Sequence, residues 1–219
     1  MFYVMSDIHG NYEKFIEMLN KINFSKEDSL YIIGDVIDRM SGGLKIIDYI
    51  IGHKNVFYIK GNHEKLFIDA YETNDYSLWY YNGGQTTHFS LMDKPFEYEE
   101  QLYRYLKNLP LFKIVKNKYI LVHASLFLPL NYNNLSIEEI LKAQNENFCL
   151  WDREFIGNEK ELKDYIIISG HTPTKLIDKN MTEPKFIKRK GHIYIDCGAP
   201  FIDGALGCLR LDDMKEFYI

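Results

Sequence analysis

The chain has no apolar run approaching the roughly 20 residues that a membrane-spanning helix needs. It is expected to act away from membranes. Cysteine is scarce: Cys149, Cys197 and Cys208 are an odd number and form no C-x-x-C pair. They are read as buried reduced thiols of a cytoplasmic protein. Basic charge is also in deficit, with 26 Lys and Arg against 31 Asp and Glu and a net charge of −5. A nucleic-acid scaffold would carry a basic stripe, so that role is disfavoured, although a local basic pocket is compatible with the total. The chain lacks internal repeats, low-complexity segments and any convincing linker. Only Met1 to Ser6 precede the first chemistry-bearing motif, so a cleavable leader would remove part of that motif. A single domain over residues 1–219 is the simplest division, long enough to bury a sizeable core.

What is present is a globular composition of 46% hydrophobic and 26% charged residues, with an aromatic share of 15%. Apolar runs predict strands over residues 2–6, 30–33 and 56–59. Between them lie helical patterns: Asn11 caps a stripe of Phe15, Ile16, Met18, Leu19 and Ile22, and Leu44 to Ile51 follows a Ser-Gly-Gly turn. A third helix is expected from Glu64 to Tyr71. This alternation points to βαβ units and a largely parallel sheet. Residues 71–111 read as a polar, aromatic stretch with a turn at Asn82-Gly83-Gly84 and a helix over 97–106. Further strands are expected at 119–122, 166–168, 193–195 and 205–211. A short helix should follow Ser136, with Glu139 completing a capping box. The fold class is α/β, with two packed mixed sheets and helices outside.

Three short runs stand out: Asp7-Ile8-His9-Gly10, Gly34-Asp35-Val36-Ile37-Asp38-Arg39 and Gly61-Asn62-His63-Glu64. Each follows a predicted strand, as do His123 and His171. Asp7 and His9 are two apart, so in extended geometry both reach the same side. Asp35 carries two oxygens and can bridge two cations; Asn62 offers a neutral oxygen; His123 and His171 offer nitrogens. Such a mixed shell suits two divalent ions of the Mn, Fe or Zn type better than Mg or Ca. Two cations about 3.5–4 Å apart suit phosphoester hydrolysis. His63 adjoins Asn62 and, on an extended segment, points away from it. It is therefore read as a general acid oriented by Asp38, and not as a ligand. Arg39 is a candidate phosphate clamp, since guanidinium presents a planar fork of donors. Arg153 is a second candidate, for which a surface salt bridge is the plainer reading. His53, His88 and His192 lack neighbouring ligands and are assigned surface or hydrogen-bonding roles.

These runs resemble the calcineurin-like metallophosphoesterases, and within them the serine/threonine protein phosphatases of phages and bacteria. The family pattern GDxHG, GDxxDRG, GNHE and separate metal histidines appears here from Ser6 to Gly10, Gly34 to Arg39 and Gly61 to Glu64. His123-Ala124 and Gly170-His171-Thr172-Pro173 complete it. The Asn82-Gly83-Gly84 run after Trp79 and Trp151-Asp152-Arg153 are similar to the bacterial branch. The resemblance implies a four-layer β-sandwich flanked by helices and a dinuclear metal centre, with manganese the first choice of ion. Asp7, His9 and Asp35 would hold one metal, and Asp35, Asn62, His123 and His171 the other. Arg39, Arg153 and Asn62 would meet the substrate phosphate, with His63 and Asp38 as the acid pair. A metal-activated hydroxide would then attack phosphorus in line. Ser6, Met40 and Ala124-Ser125 depart from the usual glycines without removing a ligand.

The substrate implied is a phosphorylated protein or small phosphoester. A symmetrical dinucleoside tetraphosphate hydrolase is the alternative, although its relatives often carry Ala and Asp where Asp38 and Glu64 stand. A nuclease or phosphodiesterase typically has Gly-His-x-His, and Pro173 replaces that second histidine. A metal-stabilised binding protein without turnover would need neither His63, Asp38 nor the two arginines.

Overall fold

The computed structural model describes residues 1–219. Its first half is the expected alternation. Strands β1 (Phe2–Met5), β2 (Ser29–Ile33) and β3 (Val56–Ile59) pair in parallel, with α1 (Tyr12–Lys21) and α2 (Gly43–Gly52) crossing between them. The side chain of Asn11 accepts from Lys14 N at 3.2 Å, which caps α1 as expected. Helix α3 (Asn62–Thr73) starts two residues earlier than predicted. The aromatic stretch after it is helical: α4 (Ser77–Tyr81), α5 (Gln85–Met92) and α6 (Phe96–Lys107).

Strands β4 (Phe112–Val115) and β5 (Tyr119–Val122) begin the second sheet. Then come α7 (Ile137–Lys142), α8 (Glu146–Trp151), β6 (Ile166–Ser169), α9 (Thr174–Ile177), β7 (Ile187–Arg189) and β8 (His192–Tyr194). The capping box of α7 is formed: Glu139 N donates to Ser136 Oγ, and Ser136 N donates to Glu139 Oε2. Strands β9 (Gly207–Arg210) and β10 (Lys215–Tyr218) return to the first sheet. The orders are β10-β9-β1-β2-β3 and β4-β5-β6-β8-β7. Both sheets are mixed, because β9, β10, β4 and β7 run antiparallel to their neighbours.

Strand alternation sorts the core into three slabs. Tyr3, Met5, Leu30 and Ile32 pack on Phe15, Met18, Ile46 and Ile47 of the helices. Their neighbours Val4, Tyr31 and Ile33 face the other way, against Tyr119, Leu121, Ile168 and Ile193 of the second sheet. Ile120, Val122 and Ile167 point outward under Leu126, Leu128 and Ile140. Helices, two sheets and outer helices therefore form four layers. With both faces covered, the strands read as continuous apolar runs. A fully buried position such as Ile32 costs about 2–5 kcal/mol when cut to alanine, so a one-residue slip of register is strongly disfavoured. No helix is long and apolar enough to cross a membrane. All three cysteines are free and buried, as expected.

This topology positions the site. Six strands, β1, β2, β3, β5, β6 and β8, are parallel within their sheets. Just beyond their carboxyl ends stand Asp7, Asp35, Asn62, His123, His171 and Asp196, the place where α/β sheets bind ligands.

Candidate metal centre

The chain makes sharp turns where these strands finish. Asp7, His9, Asp35, Asp38, Arg39 and His171 all adopt left-handed backbone with φ between 48° and 72°. Asp7 and His9 are therefore not on an extended segment; each sits on its own left-handed turn. Non-glycine residues in this region cost on the order of 1–3 kcal/mol each, and such strain gathers at functional sites. Gly34, at φ 90°, has a further reason to be glycine: a Cβ there would lie 2.3 Å from His123 Nδ1.

Asp35 occupies the middle. Its Oδ2 is 3.5 Å from His9 Nε2, and its Oδ1 is 3.4 Å from His123 Nε2. Asn62 Oδ1 lies 2.8 Å from His123 Nε2 and 2.9 Å from His171 Nδ1. Backbone carbonyls orient two of the rings: His9 Nδ1 sits 3.1 Å from Ile37 O, and His123 Nδ1 sits 2.9 Å from Ile33 O. Each ring thus turns its Nε2 inward. Two compact groups result, His9–Asp35–His63 and Asp35–His123–His171, joined by Asp35. Asp7 lies beside them and outside both. Its carboxylate accepts from His171 N at 3.0 Å and from the Ser6 hydroxyl.

Asn62 and His63 open α3 and are not extended; they diverge because successive helical side chains are about 100° apart. His63 Nδ1 is 2.7 Å from Asp38 Oδ2, which leaves Nε2 facing the site, 3.8 Å from Asp35 Oδ2. The Arg39 guanidinium stands 3.4 Å from that Nε2 and also lies over the Phe201 ring at 5.5 Å. Nε2 thus sits against the Arg39 cation as well as close to His9 and Asp35. Arg153 is exposed and forms no ion pair, which removes the salt-bridge reading; its charge helps to hold His171 unprotonated.

The electrostatics show what these residues lack. Burial pushes the Asp7 carboxyl up to about 6 and that of Asp35 to about 7. Asp196, buried beside them, is pushed well above the ordinary carboxylate range. Burial also keeps the imidazoles of His9, His123 and His171 from charging. Three buried carboxyls facing neutral imidazoles form a site short of positive charge, with nitrogen and oxygen atoms converging on it. That donor set fits divalent cations.

Residues 1–198 match the family model of the calcineurin-like phosphoesterases. The chain belongs to this family. Members hold a dinuclear divalent metal centre, and the two groups sharing Asp35 supply candidate ligands for one. Among relatives, serine/threonine-protein phosphatase 2 of Salmonella typhimurium is 33% identical over 126 residues, 56% of this chain and 57% of that protein. The symmetrical bis(5'-nucleosyl)-tetraphosphatase of Coxiella burnetii is 26% identical over 89% of this chain and 66% of its own length. The chain thus spans less than two thirds of each of these relatives. A cold-active protein-tyrosine phosphatase of a psychrophilic Shewanella shares the fold, with a TM-score of 0.67 over 99% of this chain and 79% of that one at 14% identity.

Glu64 and Trp79 stand in the motifs quoted above without an assigned role, and Asp196 and Thr87 stand outside them. Glu64 accepts from Asp35 N, Val36 N and Gly61 N at 2.8–3.1 Å, which ties the β2 and β3 turns together. Asp196 follows an apolar run, the same signal that marked the other strand ends. Trp79 and Thr87 both bond to Asp38 from α4 and α5. His192 is buried at the start of β8, with Nε2 3.0 Å from Ser169 Oγ, so the hydrogen-bonding assignment applies to it and the surface one does not.

Proposed function

We propose that this phosphoesterase hydrolyses phosphomonoesters of phosphorylated proteins, with phosphoserine and phosphothreonine as the substrate class. The observation carrying the reading is the His63–Asp38 pair, set beside Asp35 and within reach of Arg39. A leaving alkoxide needs a proton, and an imidazole held by a carboxylate supplies one. Asp7, His9 and Asp35 would hold one divalent cation, and Asp35, Asn62, His123 and His171 the second. Manganese, iron and zinc all suit that mixture of donors. When bound, the pair supplies Lewis-acid polarisation of the phosphoryl group and a lowered pKa for attacking water.

The protein's own residues do the rest. Arg39 and Arg153, with Asn62, orient the phosphate, because planar guanidinium matches two of its oxygens. Burial opposes a charged His63, but Asp35 and Asp38 outweigh it and raise its pKa, so the ring holds the proton it must deliver. Its Nε2 then faces the leaving oxygen. A cytoplasmic location and a single domain over residues 1–219 complete the proposal. Hydrolysis of a symmetrical dinucleoside tetraphosphate is the second reading, favoured by the 89% of this chain that aligns with the Coxiella relative.

The test is a panel of phosphoserine peptide, diadenosine tetraphosphate and bis-p-nitrophenyl phosphate, assayed after chelation and again with Mn²⁺. Activity on the peptide that vanishes on chelation and returns with Mn²⁺ is expected. Turnover of the dinucleotide alone would transfer the assignment to the second reading.

A further inference from the structure

We propose that Trp79 and Thr87 are positioning residues for the His63–Asp38 pair, so that the α4–α5 segment is part of the proton-delivering apparatus. The inference rests on the acid role given to His63 above.

Asp38 is fully buried, and a lone carboxylate there would be costly. Its oxygens are instead fully engaged. Trp79 Nε1 donates to both, at 3.0 Å to Oδ1 and 2.9 Å to Oδ2. Thr87 Oγ1 accepts from Asp38 N at 2.9 Å and lies 2.7 Å from Oδ1. His63 Nδ1 completes the set at 2.7 Å from Oδ2. Donor and acceptor counting then assigns the hydrogen-bond roles. An indole nitrogen is only a donor. The Thr87 hydroxyl spends a lone pair on Asp38 N, which directs its proton to Oδ1. With these donors on it, the carboxylate is left to accept from His63 Nδ1–H. The nitrogen facing the site is therefore Nε2, and the Nδ1–H···Oδ2 bond fixes the orientation of the ring whether Nε2 carries the proton it would deliver or has released it.

The glycine turn between the two helices serves the same end. A Cβ on Gly84 would lie 2.4 Å from Trp79 Nε1, so only glycine lets the indole occupy this place. Gly83 O accepts from Arg39 N at 3.1 Å, which anchors the candidate phosphate clamp to the same turn. One segment thus holds the carboxylate behind the acid and the backbone beneath the clamp.

The experiment compares Thr87→Val, which keeps the volume and removes the hydroxyl, with Thr87→Ser, which restores it. Turnover of a phosphoserine peptide should fall about ten-fold in Thr87→Val, with KM and metal content unchanged. The loss on p-nitrophenyl phosphate should be smaller, because its leaving group needs little protonation. Thr87→Ser should recover most of the lost rate. Independently of activity, the downfield proton NMR signal of His63 Nδ1–H in the chelated whole chain should shift or broaden in Thr87→Val and return in Thr87→Ser. Wild-type turnover of both substrates by Thr87→Val, or equal losses on both with the ring proton unmoved, overturns the inference. A wild-type protein inert on every phosphoester, with the ring proton still displaced in Thr87→Val, overturns the phosphatase reading and upholds the positioning.

Discussion

Two sets of buried histidines can be compared within one sheet. His123 and His171 follow the carboxyl ends of β5 and β6, where they meet Asn62 and Asp35. His192 opens β8 at the other end, stacked on Tyr194 at 4.5 Å and held by a serine hydroxyl. Burial does not distinguish them, since all three are under 7% exposed. What differs is convergence. The first set joins carboxylates on left-handed turns, where backbone strain needs a functional return. The second lies on regular strand with its Nε2 bonded to a hydroxyl, and it belongs to neither group of converging ligand atoms. A buried histidine becomes a candidate ligand through its neighbours.

The largest expected effect comes from the shared residue. Asp35→Asn should weaken both cations together and lower turnover by more than the roughly 10–100-fold that losing an outer partner of a ligand costs. Metal analysis and kcat on the same preparation check this. His63→Asn should cut phosphoserine turnover by about 10²–10⁴-fold and p-nitrophenyl phosphate turnover much less, with metal content near wild type. Equal losses on both substrates would remove the acid role, and loss of one metal would make His63 a ligand.

Glu64→Gln is next. Its amide would turn one donor toward three backbone N–H groups that now share a carboxylate, loosening the turns that carry Asp35 and Asn62. A drop in metal affinity of about 10–100-fold is expected by calorimetry, with a melting temperature lowered by a few degrees because buried donors are left facing one another. Unaltered affinity would show that the turns hold without it.

The smallest effect belongs to the other histidine. Burial, which outweighs the opposing charge of Glu159, pulls the His192 pKa from 6.5 to about 4. Between those values the unfolded chain binds a proton that the folded protein refuses, so this residue lowers stability as the pH falls through the window. The loss is on the order of 3 kcal/mol once the pH is below both values. His192→Phe should flatten that part of the stability–pH curve, followed by urea denaturation, and leave activity at pH 7 unchanged. A variant that keeps the acid-side slope, or loses activity, would break the contrast between the two sets.

Much of this was legible before the structure. The six expected metal-binding residues each stand just past a strand or opening a helix after one, and the continuous apolar runs along β1, β2 and β5 are those of strands buried on both faces. What escaped depends on contacts distant in sequence. Thr87 meets Asp38 across 49 residues and Trp79 across 41, and no local period encodes either meeting. The α4 and α5 helices are short and aromatic, and their pattern resembles a loop. The extended reading of Asn62 and His63 failed because the β3 turn passes directly into α3, with Glu64 accepting from Gly61 N across its first turn. Asp196 carries the same signal as the other strand ends, an acidic residue just past an apolar run.

The central claim is that two cation positions share Asp35. Calorimetric titration of the chelated protein with Mn²⁺ tests it most directly. The account predicts two ions per chain in the wild type, and one or none in Asp35→Asn. It also predicts that binding tightens from pH 5 to pH 8, because Asp7 and Asp35, raised to about 6 and 7, must release protons to bind. A single ion per chain in the wild type, or two ions still bound after Asp35→Asn, would contradict it.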